Sequence, residues 1–265
     1  MRHRWSETIK QVTRPLLYRT LRSGATAFRC PICDYHGPFK TKRISRSPDL
    51  TRPHSKCPSC AANERHRMMY LVIEELAERF DLGQMSVLHI APEACLTRQL
   101  RKHFGRYETA DLFAPGVDHK QDLQKMTFPD GHYDCVVISR VLTVPPDLEA
   151  CLNEIRRVLP DAGGLAIIAE TYTHECNQEF GQFINERSRE IGLDLLDQLS
   201  ERFDRVEQIR SDRFDEAAFQ LTNRIHREGQ PHDAYPDAVR HPGLGFRELV
   251  AVGHTGPATP GSESV

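Results

Sequence analysis

DCVVIS (residues 134–139) and LNEIRRVLPDAGGLAIIAE (152–170) decide the fold. The first reads as a short buried strand, apolar from Cys135 to Ile138. The second continues a helix that begins near Asp147, with Leu148, Cys151, Leu152, Ile155 and Leu159 at helical spacing, then turns through Asp161-Ala162-Gly163-Gly164 into a second apolar strand, Leu165–Ala169. Strands with no polar face must be covered on both sides. Strand–helix–strand alternation then implies a parallel sheet between helical layers.

The alternation extends upstream. Residues 86–91 (SVLHIA) read as a strand, 93–104 as a helix through Leu96, Leu100 and Phe104, and Tyr107–Ala110 as a strand ending at Asp111. Val117–His119 suits a short third strand. Downstream, 178–202 reads as a long helical stretch, Arg205–Ile209 as a strand, and Phe246–Val252 as a late edge strand. Residues 63–80 form a helix capped by Asn63, and residues 5–22 a basic helix interrupted by Pro15. The reading divides the chain into a basic segment (1–27), a cysteine-rich module (28–62), an α/β domain (63–254) and a low-complexity, disordered tail (255–265).

Of 265 residues, 39% are apolar, enough for a core of ordinary size. No apolar run is long enough for a transmembrane helix, and no secretory signal precedes the first element. The net charge of −2 conceals a split: residues 1–70 hold 15 Lys+Arg against 4 Asp+Glu. Such a basic unit could touch nucleic acid, an anionic lipid surface or the acidic domain beside it. Four of the eight cysteines are scattered, which points to a reducing compartment, by default the cytoplasm.

The other four are paired. Cys30-Pro-Ile-Cys33 and Cys57-Pro-Ser-Cys60 supply four thiolates in two knuckles, as a tetrahedral structural metal site requires. Zinc is favoured, iron uses the same ligands, and disulfides are the competing reading. A module this small needs such a staple.

At a parallel sheet's carboxyl edge, an acid ending the second strand can accept the hydroxyls of a ribose, which singles out Asp111. Asp122 and Leu123 are placed to meet an adenine edge. A single Asp at such a position equally caps a helix or turn.

The series resembles the class I S-adenosylmethionine-dependent methyltransferases. The residues carrying the resemblance are VLHIAPEACLTRQL (87–100), Asp111, VDHKQDLQKMTFPDGHYDCVVISRVL (117–142) and LNEIRRVLPDAGGLAIIAE (152–170). The knuckles ahead of NERHR (63–67) are similar to those preceding one group of methyltransferase-like proteins. The resemblance implies a Rossmann-like, mostly parallel seven-stranded sheet with a reversed last strand, beside a small N-terminal zinc ribbon. It implies S-adenosylmethionine as cofactor, with His89, Ala91, Pro92 and Glu93 at the methionine end, Asp111 and Leu112 at the ribose, Asp122 and Leu123 at the adenine, and Ser139 beside them. His174, in Glu170-Thr171-Tyr172-Thr173-His174, is the base candidate near the acceptor. The first loop departs from the family's acidic-x-Gly-x-Gly-x-Gly, holding His89, Ala91, Glu93 and Cys95 instead. Two rivals follow: a non-catalytic zinc-ribbon adaptor with a degenerate Rossmann-like domain, and an RNA-directed methyltransferase gripping RNA through its basic module. A dehydrogenase is disfavoured because no GxGxxG follows the first strand. The methyl acceptor, small molecule or RNA, and the oligomeric state are not encoded legibly.

Overall fold

The computed structural model describes residues 13, 15–44, 47–224, 235–241 and 245–257, with side chains for all of these but 44 and 47–50. Residues 1–12 and 14 of the basic segment and residues 258–265 of the tail lie outside them. Within the basic segment, residues 15–21 are helical.

The cysteine-rich module consists of two hairpins, β1 (Phe28–Arg29) with β2 (His36–Gly37) and β3 (Lys40–Ile44) with β4 (Ser47–Lys56). Helix α1 (Glu64–Arg79) then leads into a central sheet. Its strands are β5 (Ser86–Ile90), β6 (Arg106–Asp111), β7 (His119–Lys120), β8 (Cys135–Ser139), β9 (Leu165–Glu170), β12 (Arg205–Arg210) and β16 (Leu249–His254). The order across the sheet is β12-β16-β9-β8-β5-β6-β7. All neighbours are parallel except β16, which runs against both β9 and β12. This is the Rossmann-like methyltransferase arrangement with its reversed strand.

The apolar strands earn their place. Every residue of β8, β9 and β16 is buried. One sheet face packs Leu88, Val136, Ile138 and Ile168 against α3 (Leu148–Arg157) and α4 (Asp194–Ser200). The other packs Val87, Val137, Ile167 and Val252 against α1 and α2 (Ala94–His103). Helix α3 starts where Asp147 accepts the Ala150 N–H at 2.9 Å, an N-cap that satisfies an orphan donor of the first turn. Gly253 admits no side chain, because a Cβ there would sit 2.7 Å from the Phe203 ring.

Three expected elements differ. Residues 178–202 are not one helix: β10 (Gln178–Ile184) and β11 (Arg187–Glu190) form an antiparallel hairpin, and only Asp194–Ser200 is helical. Asn185 and Glu186 both take left-handed φ (52° and 61°), the two-residue turn whose twist matches a hairpin. Nearly all of β10 is exposed, so no buried face imprints a period on its sequence. The last strand starts later than Phe246 and lies inside the sheet, with β12 at the edge; Phe246 belongs to a separate strand, β15 (Gly245–Arg247), between β13 (Thr222–Asn223) and β14 (Arg240–His241). The third strand begins at His119, because Asp118 is tied back to Thr109, accepting its N–H at 2.9 Å and its Oγ1–H at 2.7 Å.

Candidate functional site

The cysteines converge. Sγ of Cys30 lies 3.6 Å from that of Cys60, and Cys33 Sγ lies 3.7 Å from Cys57 Sγ. All four sulfurs fall within 4.8 Å of one another, and none is disulfide-bonded. A tetrahedron with metal–sulfur bonds of about 2.3 Å separates its sulfurs by about 3.8 Å, so the spacing fits a four-thiolate metal site. The two knuckles are built alike. The Asp34 N–H donates to Cys30 O and the Ala61 N–H to Cys57 O, at 2.9 and 3.0 Å. Asp34 and Ala61 both take left-handed φ, 55° and 65°.

The module shares its core with the domain: Phe28, Ile32 and Phe39 are buried in one cluster with Met68, Val72 and Leu76 of α1. Phe28 and Phe39 are therefore not exposed for stacking bases. Arg67, fully buried, is the strut. It donates to the carbonyls of Ser55 and Ala62 in the module and of Phe219 and Gln220 in the domain, and its guanidinium lies 4.6 Å from the Phe39 ring centre. Arg52 likewise reaches Glu64 at 2.8 Å. Part of the basic charge thus faces the domain beside it.

The sheet's carboxyl edge holds the other candidates. Register aligns Ile90 with Ala110 and Ile138, and Ser139 with Ala169. Ala91, Asp111, Ser139 and Glu170 therefore line one rim. Ala91 takes φ 49° and Arg140 φ 55°, so two non-glycine residues at adjacent strand ends are left-handed. That conformation costs an L-residue about 1–2 kcal/mol and persists where surrounding structure demands it. Asp111 Oδ1 accepts the N–H groups of Phe113 and Ala114 at 2.7 and 2.6 Å, folding its loop around the carboxylate. Leu112 and Phe113 beyond it are exposed. The Ser139 hydroxyl accepts from Arg65 Nε at 3.2 Å.

The other residues singled out are placed differently. His89 is fully buried: Nδ1 lies 3.0 Å from the Tyr107 hydroxyl and Nε2 3.0 Å from Glu93 Oε2. The second Glu93 oxygen lies 3.3 Å from His66 Nε2, and His66 Nδ1 accepts the Asn63 N–H. Burial pushes the Glu93 carboxyl up, but His66 and His89 outweigh it and hold the group well below the usual range. Burial holds His66 below the ordinary imidazole value. Pro92 is half-buried at the bend between them. Asp122 accepts the Gln124 N–H in a local turn, and Leu123 packs into the core. His174 sits half-exposed in the segment after β9, its Nε2 2.9 Å from Glu190 Oε2 on β11. Sequence reasoning did not single out His66, Arg67 or Glu170; only the charged run NERHR marked the first two.

Residues 72–167 match the family model described as a methyltransferase domain. Over this stretch, and in the order and direction of its sheet strands, the chain is similar to methyltransferase domains. Among curated proteins, the hybrid PKS-NRPS synthetase mpsA of Macrophomina phaseolina (strain MS6) is 40% identical over 57 residues, 22% of this chain and 1% of that protein. Among solved structures, the N-methyltransferase NodS of Bradyrhizobium japonicum WM9 is 15% identical with a TM-score of 0.47, over 74% of this chain and 98% of that one. The 1,6-didemethyltoxoflavin-N1-methyltransferase of Burkholderia thailandensis, crystallised with S-adenosylhomocysteine, is 16% identical with a TM-score of 0.46, over 71% of this chain and 78% of that one. Among the described residues, no helix is long and apolar enough to cross a membrane.

Proposed function

We propose that this chain is a methyltransferase that binds S-adenosylmethionine along the rim from Ala91 to Ser139, with a structural zinc ion held by Cys30, Cys33, Cys57 and Cys60. The observation that carries the reading is the left-handed Ala91 beside Asp111. Ala91 stands where the resemblance places a glycine and takes the left-handed conformation that glycine adopts most readily, which supports a loop shaped for a ligand. When bound, the cofactor supplies a methyl group on a positively charged sulfur.

In this reading Asp111, one oxygen of which organises its loop, turns the other to the ribose hydroxyls. Leu112 covers the nucleoside, with Asp122 and Leu123 behind the adenine. The Ala91-Pro92 backbone and Ser139 flank the methionine end. Glu93, kept anionic by His66 and His89, replaces the acid that the family places at position 89 and attracts cationic groups of the ligand. His89 acts from beneath the loop by fixing Glu93. The chain's main contribution to rate is orientation, since in-line displacement profits most from holding the reactants aligned. His174, steadied by Glu190, takes a proton from the acceptor where one must leave. The four cysteines outside the metal site form no disulfide, which suits a reducing compartment such as the cytoplasm.

Isothermal titration of the full chain with S-adenosylmethionine tests this. Binding is expected, and Asp111→Ala should weaken it at least about tenfold, or about 1.4 kcal/mol. No heat at millimolar cofactor would overturn the reading and leave a metal-stapled adaptor.

A further inference from the structure

The helix over residues 15–21 turns one side to the cysteine module and leaves the other uncovered. Pro15 is buried, and the Tyr18 hydroxyl donates to Phe39 O at 3.4 Å. Lys40 of β3 covers the Tyr18 ring, its ammonium 5.3 Å from the ring centre. Arg19 runs along Gly37 at the end of β2, where a Cβ would sit 3.3 Å from Arg19 Cγ. These contacts fix the inward side at positions 15, 18 and 19. Positions 17 and 21, one turn apart, therefore lie on the opposite side, with 16 beside them. Leu16, Leu17 and Leu21 stand there, 56%, 60% and 74% exposed. Of the eight large apolar side chains left exposed among the described residues, three thus fall on one short helix. Exposed apolar side chains scattered singly need no partner, whereas several on one helix face mark a contact surface.

The surroundings of that face are cationic. Residues 1–43 hold ten Lys+Arg against two Asp+Glu. Arg19 and Arg22 are exposed within the same stretch as the leucines. Asp34, the acid of the first hairpin, already lies 3.6 Å from Arg29. Upstream the sequence keeps the same mixture, with Trp5, Ile9 and Val12 among Arg2, Arg4, Lys10 and Arg14. A nucleic acid would use the cations and leave the leucines in water. The rings that could stack on its bases are also engaged: Phe28 and Phe39 in the core, Tyr18 beneath Lys40, and Tyr35 through its hydroxyl on Pro38 O at 3.2 Å. A second copy of the chain would bring like charge against like. A bilayer with anionic headgroups uses both features at once, since apolar side chains enter the acyl boundary while arginines reach lipid phosphate.

We propose that this helix is a membrane-surface anchor, with Leu16, Leu17 and Leu21 seated in the interfacial layer of an anionic bilayer and Arg19 and Arg22 on its phosphates. The anchor lies on the membrane and does not cross it. Because the helix rests on the cysteine module through Tyr18 and Pro15, its apolar face is presented before contact, which lowers the ordering cost of binding. The inference is independent of the cofactor reading.

The test is flotation of the full-length, metal-loaded chain with vesicles of phosphatidylcholine containing about one third phosphatidylglycerol. The chain should float with these vesicles and bind pure phosphatidylcholine at least about tenfold more weakly. Leu17→Gln combined with Leu21→Gln should weaken binding to the anionic vesicles at least about tenfold, and Arg19→Gln combined with Arg22→Gln should do the same. Both double variants should keep the thermal midpoint within about 2 °C, as substitutions at exposed positions do. No flotation of the unaltered chain overturns the anchor. Flotation unchanged in the leucine variant also overturns it and reduces the contact to charge alone. A midpoint that falls sharply in the leucine variant overturns it by showing that the chain itself covers these side chains. Self-association without vesicles that the leucine variant abolishes overturns it in favour of a second copy. A gel shift of single-stranded RNA that the arginine variant loses and the leucine variant keeps, without flotation, overturns it in favour of a nucleic-acid surface.

Discussion

The cysteine module and the strand-end crevice place polar groups in two different ways. Each knuckle closes on itself: two cysteines, a left-handed residue after the second, and backbone bonds spanning only a few positions, such as Cys30 N to Tyr35 O at 2.8 Å. The crevice draws on α1, β5, β6, β8 and β9, and the polar chain beneath its first loop joins residues 63, 66, 89, 93, 97 and 107. A locally closed device depends on its own residues. A distributed one depends on the whole sheet being in register.

The largest expected effect therefore belongs to the module's ligands. Structural zinc contributes about 10–16 kcal/mol of apparent binding free energy in small zinc-dependent units. Because Phe28, Ile32 and Phe39 share the core with α1, losing the metal should destabilise the domain as well as the module. Elemental analysis should find one zinc per chain, and Cys57→Ser or chelation should abolish it and lower the thermal midpoint sharply. Unchanged unfolding after metal loss would show that the module is only an ornament on the domain.

Next in size is the strut between the regions. Arg67→Met keeps the aliphatic bulk but removes the guanidinium bonds to the carbonyls of Ser55, Phe219 and Gln220, and to that of Ala62, which keeps the Cys57 N–H. Buried acceptors stripped of a charged partner should cost about 3–5 kcal/mol. Urea denaturation would measure it, and a loss under about 1 kcal/mol would mean that the module and the domain hold together through apolar contact alone.

These two regions also differ in how much a reader of the sequence can recover. The knuckles are legible because ligand identity, spacing and geometry coincide in CPIC and CPSC. The sheet is legible where strands are buried on both faces, as in CVVIS and LAIIAE, because burial writes itself as an unbroken apolar run. It fades at β10, whose residues face water. The crevice is legible in position but not in partnership: Asp111 stands where a strand-end acid belongs, yet that Glu93 would be bridged by His66 and His89 depends on α1 crossing above β5. No spacing rule encodes that.

The bridge gives a smaller effect with a defined pH signature. Glu93 has a folded value below its unfolded one, so its stabilisation is complete above about pH 4.3 and is lost as pH falls below that. His66 is also depressed, by burial. Below about pH 6.5 the unfolded chain takes up a proton that folded His66 resists, so stability falls from there downward as well. Glu93→Gln should cost about 1–3 kcal/mol at pH 7 and flatten the acidic limb below pH 4.3. Unfolding free energies from pH 3 to 8 would check both, and an unchanged acidic limb would show that other carboxylates set it.

The smallest effect tests the loop itself. Ala91 is left-handed at φ 49°, and its N–H is fixed by Ala110 O at 2.8 Å. Glycine adopts that conformation without the Cβ penalty, but it also loosens the unfolded chain, which offsets part of the gain. Ala91→Gly should therefore stabilise the fold by about 0.5–1 kcal/mol while leaving the metal content unchanged. If the strained alanine merely preserves the glycine path of the family, S-adenosylmethionine affinity should rise or hold in this variant. If the methyl group of Ala91 instead forms part of the wall that shapes the ligand's seat, affinity should fall although stability rises. Opposite signs in the two measurements would show that the loop was rebuilt for its own ligand geometry, whereas agreement would mark it as the common loop carried on a costlier residue.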